Sequence, residues 1–306
     1  MTAYLLKRLA LTVPVLVGVS ILVFAMSHLV PGDPVAVMLG ERATSEDMAR
    51  LRSQLGLDRP LYVQYLDFVG RAVRGDLGTS IRTGRPVLLE IGEQFPATVT
   101  LTLAATLLAG VFGVLAGTAA ATRRRGALDG LLMSFVLLGV STPTFFSGLL
   151  LIIVFSVYLN WLPVATGSGI APLVLPSVTL ALPAVAVLAR VTRSSLLEEL
   201  GKDYVRTAAA KGLRRPTVIA RHVWKNALIP VVTILGLQFG GLMAGAVIVE
   251  SVFARQGLGR YTVNAINARD FPQIQGTVLV VAVVYVLVNL LVDMLYAALD
   301  PRIKYR

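Results

Sequence analysis

The sequence predicts an all-α polytopic membrane protein with six transmembrane helices, and three observations carry that prediction. Hydrophobic residues make up 56% of the 306 positions and charged residues only 15%, where a soluble domain carries roughly a quarter. Six segments, near 9–30, 97–121, 128–159, 172–196, 228–252 and 275–299, are apolar over the length that a helix needs to cross a bilayer. Basic residues gather beside alternate connections between those segments.

The chain begins MTAYLLKRLA, and the apolar run from Leu9 to Val30 follows. The run is longer than a signal-peptide core and has no cleavage site, so residues 1–30 read as a retained first span. Residues 31–94 mix charges of both signs (Glu41, Arg42, Glu46, Asp47, Arg50, Arg52) with apolar residues at helical spacing (Leu51, Leu55, Leu61, Tyr65, Phe68). They are too long for an idle connection and read as an external cap of short helices. Residues 95–299 hold the remaining five spans, and 300–306 form a cytoplasmic tail. The third span is overlong and broken at STPTF, where Pro143 removes a helix donor; it kinks there, or re-enters before crossing. Pro176 and Pro183 predict bends in the fourth span.

Orientation follows from the basic residues. Lys7 and Arg8 precede span one, and Arg123, Arg124 and Arg125 follow span two. Lys202 to Lys225 lie between spans four and five, and Arg302, Lys304 and Arg306 close the chain. With six spans all four groups fall on one face, which the positive-inside rule makes cytoplasmic, together with both termini. The net charge of +11 is accounted for in this way, by a partner bilayer and not by nucleic acid, for which no binding motif is present.

Several chemistries are excluded. There are no cysteines, so disulfides, thiolate catalysis and cysteine metal sites are ruled out. The chain has no GxxxxGK[ST] phosphate loop. His28 and His222, the only histidines, fall on opposite faces and cannot form one metal or acid–base site. No metal site, cofactor or catalytic residue is expected. Asp293 lies within the last span, with Asn289 four residues earlier on the same helix face; a carboxylate there is costly and is either functional or held by a hydrogen bond. Glu250 ends span five, while Arg190 and Arg193 near the inner end of span four are placed to snorkel. Span five carries GLQFGGLMAGA, with small residues at Gly236/Gly240/Ala244 and Gly241/Gly245 around Gln238. Such spacing suits close packing within the chain, or a pathway or subunit seam.

The segment DYVRTAAAKGLRRPTVIARHVWKNALIP, from 203, is the densest in charge. Asp203 is placed to cap a helix from about Tyr204 to Lys211, Gly212 to end it, and Pro216 to start a second helix running to about Asn226. Alanines 208, 209 and 210 give the first helix little bulk, so that it can approach a partner backbone while Arg206 and Lys211 fix its orientation. Composition alone allows a plain topogenic loop equally well.

The order of the motifs adds to this. DYVRTAAAKG resembles the cytoplasmic EAA loop of ABC-importer permeases. More narrowly, the chain resembles the dipeptide/oligopeptide/nickel permease family, and in it the first of the two permease subunits. The resemblance rests on PGDPV (31–35), GDLGTSI (75–81), TRSSLLEELGKDYVRTAAAKGL (192–213), NALIPVVT (226–233), GLGR (257–260), RDFPQIQG (269–276) and NLLVDMLYAALDPRIKYR (289–306). The chain departs from the generic pattern, since Arg206 or Thr207 stands where an acid begins the triad and Ile229-Pro230 comes late.

The resemblance implies a type I ABC importer transmembrane fold in a bacterial inner membrane. It implies a heterodimer with a second permease, two cytoplasmic ATPase subunits that bind ATP and Mg, and an external substrate-binding protein. The implied cargo is di- or oligopeptide, with nickel chelates or glutathione as the alternative; outside the resemblance the rivals are an ion-coupled secondary transporter and a membrane-embedded enzyme, the latter disfavoured by the missing nucleophile–base pair. The coupling loop spans 197–226, and the residues expected to contact the ATPases are Asp203, Tyr204, Arg206, Thr207, Ala208, Ala210, Lys211 and Gly212, supported by Arg215, Arg221 and His222. A bulky residue at Ala208 or Gly212 is expected to uncouple transport and leave insertion intact. The external cap or gate is expected at Asp33, Gly75, Asp76, Leu77, Gly78 and Ser80. Pathway or packing positions are Pro143, Gly236, Gln238, Gly240, Gly241, Gly245, Asn289 and Asp293.

Overall fold

The computed structural model describes residues 2–29, 35, 39, 44–54, 56–124, 126–164 and 169–299. Asp33, Glu41, Arg42, Leu55, Arg125 and the tail with Arg302, Lys304 and Arg306 lie outside the described residues, as do the side chains of Lys7, His28, Leu51 and Asp293. Among the described residues the fold is all helical: α1 Thr2–Leu29, α2 Ser45–Gln54, α3 Leu61–Val73, α4 Val87–Thr122, α5 Ala127–Ser141, α6 Thr144–Tyr158, α7 Ala171–Leu200, α8 Asp203–Ala210, α9 Arg215–Val252, α10 Leu258–Asn267 and α11 Phe271–Leu299. The single β feature among them is a bridge between Thr79 and Pro86.

Four helices, α4, α7, α9 and α11, are long and apolar enough to cross a membrane, and the α5–α6 pair makes five if counted as one span. The apolar part of α1 within the described side chains, Ala10–Met26, is shorter. Among the described residues, length and composition therefore support up to five of the six expected spans. The third expected span is bent by 108°. Pro143 stands at the break, immediately before α6, with φ −58° and ψ 135°; proline biases the residue before it away from helix and cannot donate across the break. α6 then finishes in a π-helical stretch, Ile152–Tyr158. α7 runs as one helix through both Pro176 and Pro183.

The chain divides into two compact units, residues 1–96 with 256–287, and residues 97–255 with 288–306. In the first, α3 lies on α1: Tyr65 and Ser20 share a hydroxyl hydrogen bond of 2.8 Å, and the Phe24 ring meets Tyr65 edge-on, 5.6 Å between centroids. The expected helical spacing through Tyr65 and Phe68 thus has its packing partner in Phe24. A second cluster, Val87, Ile91 and Leu258 with Leu77 and Phe95, fills the space under the turn that precedes α4.

In the second unit α7 is the central helix. Leu175, Leu180, Ala184 and Leu188 from it join Leu101, Ala105 and Ala109 of α4 and Val231, Leu242, Ala246 and Val249 of α9 in one apolar core. Glycines set the closeness of this packing. A Cβ on Gly117 would lie 2.5 Å from the Ala189 carbonyl oxygen, and one on Gly113 would lie 2.6 Å from Leu188 Cβ. The GVLAG run of α4 is therefore a tight small-xxx-small contact with α7.

Candidate functional site

The basic segment folds as an elbow between α7 and α9. α8 begins at Asp203, with Lys202 in the N-cap position and no side-chain cap bond. Asp203 is thus the first helical residue and not the cap; an acid there still opposes the positive end of the helix dipole. The helix ends as expected. Gly212 takes φ +79° and its N–H donates to the Ala209 carbonyl, a left-handed stop that costs a residue with a Cβ about 1–2 kcal/mol.

The second helix differs from expectation. Pro216 does sit in its first turn, but the helix does not stop at Asn226. It passes through a π-helical turn, Ile219–Val223, and continues unbroken to Val252.

Burial divides the alanine run. Ala208 is only 7% exposed and packs with Val205, Leu196, Val218, Val223 and Ala227. It faces the protein's own core, which corrects the expectation that Ala208 is a partner contact. Asp203, Arg206, Thr207, Ala210, Lys211 and Gly212 are exposed, as is Ala209. Tyr204 is half-buried. Thr207 Oγ1 donates to the Asp203 carbonyl at 3.0 Å, and the Arg206–Asp203 pair, 3.5 Å apart with both side chains in solvent, contributes little. Arg215 reaches the Thr122 carbonyl at the end of α4 at 3.4 Å; Arg221 is exposed and His222 half-buried. Beneath the elbow lies an apolar cleft of ≈ 390 Å³ bordered by Leu200, Val205, Ala209, Leu213, Val218 and Arg215.

The elbow is held by residues that the sequence reading left out. Glu199, 8% exposed, accepts hydrogen bonds from Lys202 Nζ and the Tyr204 hydroxyl. The Lys202 ammonium is held above its ordinary pKa, chiefly by the hydrogen bond to Glu199; burial, then that same carboxylate, raises Tyr204. Arg193 does not snorkel. Its guanidinium forms a two-point bridge to Asp129 near the start of α5. In the same unit Glu250 is wholly buried and accepts from Thr98 Oγ1 at 2.6 Å.

In the first unit the GDLGTSI residues form a compact turn. Gly75 and Gly78 both have positive φ, +81° and +83°, and the Gly78 N–H donates to Asp76 Oδ1 at 2.9 Å. Ser80 Oγ donates to Asp270 Oδ2 at 2.6 Å and the Arg82 N–H donates to the same oxygen at 3.1 Å; Asp270 is wholly buried. Leu77 lies against Gly276, where a Cβ would meet Leu77 Cβ at 3.3 Å and Val87 at 2.7 Å. One turn into α4, Glu90 accepts from Thr83 Oγ1, Tyr261 and Gln273 at 2.7–2.8 Å. Tyr261 is raised well above its ordinary pKa by burial first and Glu90 second. RDFPQIQG is joined to GDLGTSI through Asp270. Glu90, a carboxylate among the apolar residues of VLLEIG, was the available signal for the rest.

The pathway candidates separate by contact. A Cβ on Gly236 would meet Val292 at 2.7 Å and one on Gly245 would meet Leu180 at 3.2 Å, so both pack within the chain. Gly240 is buried and Gln238 half-buried, whereas Gly241 is exposed with nothing within 4 Å of its Cβ position. Asn289 is half-buried, and its Oδ1 has no hydrogen-bond partner among the described residues.

This combination, apolar helices around a central helix and a basic elbow between two of them, is that of a polytopic membrane protein. The sequence matches the family described as "binding-protein-dependent transport system inner membrane component" over residues 109–305. Residues 1–102 match the corresponding N-terminal family of membrane components. The chain belongs to this family of ABC-importer permeases and is a multi-pass inner-membrane protein. It is 44% identical to the di/tripeptide transport system permease protein DppB of Pseudomonas aeruginosa (strain UCBPP-PA14), with all of both chains covered. It is likewise 44% identical to the glutathione transport system permease protein GsiC of Escherichia coli (strain K12), again over the whole of both. Among solved structures, an inward-facing MetNI methionine ABC transporter chain superposes with a TM-score of 0.56 at 19% identity, covering 69% of this chain and 96% of that one. That likeness gives the fold, type I ABC importer.

Proposed function

We propose that this chain is one of two different permease subunits that together line the pathway of an importer for short peptides. An external binding protein delivers the cargo, and two cytoplasmic ATPase subunits, which hold the ATP and Mg, drive the cycle. The face bearing the basic elbow is cytoplasmic, with both termini. The observation that carries the cargo is the full-length identity to a di/tripeptide permease. The equal identity to a glutathione permease favours a second reading within the same chemistry, since glutathione is itself a tripeptide with free carboxylates and a free amine.

The exposed rim of α8, Arg206, Thr207, Ala209, Ala210, Lys211 and Gly212, is the ATPase contact in this reading. A rigid short helix with small side chains fits a groove closely, and basic residues at its edge select an acidic partner surface. Nucleotide binding in the ATPases biases the membrane helices only through contacts that differ between the two states. The GDLGTS turn with Asp270 is the external gate element.

The test is uptake in liposomes holding this chain with its second permease, ATPases and binding protein. ATP-dependent entry of labelled di- and tripeptides is expected, with competition by glutathione separating the two cargo readings. Entry that continues without the ATPase subunits would refute the reading in favour of an ion-coupled carrier.

A further inference from the structure

Three elements of the elbow meet at one phenol. Tyr204, in the first turn of α8, donates its hydroxyl proton to Glu199 Oε2, on the last turn of α7. The same Tyr204 oxygen accepts from Asn226 Nδ2, on α9, at 3.3 Å. The other Glu199 oxygen takes Lys202 Nζ, but the Lys202 side chain is 46% exposed, and an ion pair of that kind holds little. The phenol–carboxylate bond is charge-assisted and stands against the apolar cluster of Leu196, Val205 and Ala208, where such bonds are stronger than in water.

We propose that Glu199 is a positioning residue for ATPase coupling: by accepting the Tyr204 hydroxyl it fixes α8 to the inner ends of α7 and α9 at once, so that a displacement of α8 moves both helices together. This rests on the reading of α8 as the ATPase contact. Apolar packing alone keeps α8 near the bundle but leaves it free to rock, because non-directional contacts do not set its rotation. The Glu199–Tyr204–Asn226 chain supplies that direction. It lies at the junction of α7, the most buried helix of its unit, with the helix that carries the small-residue face of span five.

The chain has no cysteine, so Lys211→Cys offers a single attachment point for a cross-linker to the ATPase subunits in the complete reconstituted transporter. In that background Glu199→Ala and Tyr204→Phe are expected to keep the cross-link, to lose uptake by about tenfold, and to lose stimulation of ATP hydrolysis by loaded binding protein. Glu199→Gln, which retains an acceptor for the phenol, is expected to recover roughly half of that loss, and Lys202→Ala to stay within about twofold of the parent. Should the parent Lys211→Cys chain fail to cross-link, the reading of α8 itself falls. Should the cross-link form while Glu199→Ala and Tyr204→Phe import normally, the positioning role is overturned and the contact stands. Lys202→Ala as damaging as Glu199→Ala would equally overturn it, by assigning the effect to the ion pair. If Glu199→Ala does not insert, Tyr204→Phe, which removes one oxygen, decides alone.

Discussion

Arg193 grips Asp129 at two points, Nε to Oδ1 at 2.7 Å and Nη2 to Oδ2 at 2.8 Å. The carboxylate is nearly buried and the guanidinium about a quarter exposed, so the two single substitutions are unequal. Arg193→Ala strips a buried charge of its guanidinium and is expected to cost about 3 kcal/mol, near the lower end for broken buried pairs. Asp129→Ala leaves a long side chain that can turn its head to solvent, and is expected to cost about 1 kcal/mol. Thermal unfolding of the purified chain in detergent measures the order; equal losses would contradict it.

Neighbouring alanines in α8 separate folding from coupling. Ala208→Leu pushes a larger side chain into a closed cluster and is expected to destabilise by about 1–3 kcal/mol. Ala209→Trp adds bulk on the exposed side and is expected to leave the unfolding temperature unchanged while uptake falls by about tenfold. Uptake and thermal unfolding measured on both variants give the crossed pattern, and a shared phenotype would remove the distinction.

The glycines of α4 and α9 predict a similar division. Gly117→Ala places a methyl group 2.5 Å from the Ala189 carbonyl oxygen, so α4 and α7 must part, and the folded chain recovered from membranes is expected to drop severely. Gly241→Ala meets no atom of this chain within 4 Å, and stability is expected to be unchanged. Gly241→Leu is expected to reduce co-purification of the second permease if this open face is the seam, read by pull-down through a tag on that partner.

Tyr261 predicts a pH dependence. Its folded pKa lies above the ordinary value of 10.0 because burial and the bond to Glu90 both disfavour the phenolate. Above about pH 10 the unfolded chain loses this proton and the folded chain keeps it, so the stability that Tyr261 contributes is complete below that pH and declines above it. Alkaline unfolding curves are expected to fall from about pH 10, and Tyr261→Phe to flatten that segment; an unchanged curve would show that the phenol is not held neutral.

Long-period features were legible from composition. The runs that became α4, α7, α9 and α11 were placed by their apolar length, and Gly212 and Pro216 marked the elbow because their backbone restrictions are local. Pairings across the chain were not. Asp129 and Arg193 are 64 positions apart and Ser80 and Asp270 are 190 apart, and no local periodicity links them. Ala208 was misjudged for a related reason. Three successive alanines look alike in sequence, and only the helix rotation set by Val205 and Tyr204 decides which one turns inward.

The bend at Pro143 has a consequence in parity. α5 and α6 are each about 22 Å long, short of the roughly 30 Å hydrocarbon layer. Arg123 and Arg124 precede this pair, and the Lys202–Lys225 elbow follows α7. If both clusters share one face, as proposed from the charge bias, the chain crosses an even number of times between them. α7 supplies one crossing, so the bent pair must supply another. A re-entrant hairpin would contribute none and would strand the elbow on the wrong face. On the orientation we propose, the 108° break is a crossing made in two pieces rather than a re-entrant hairpin.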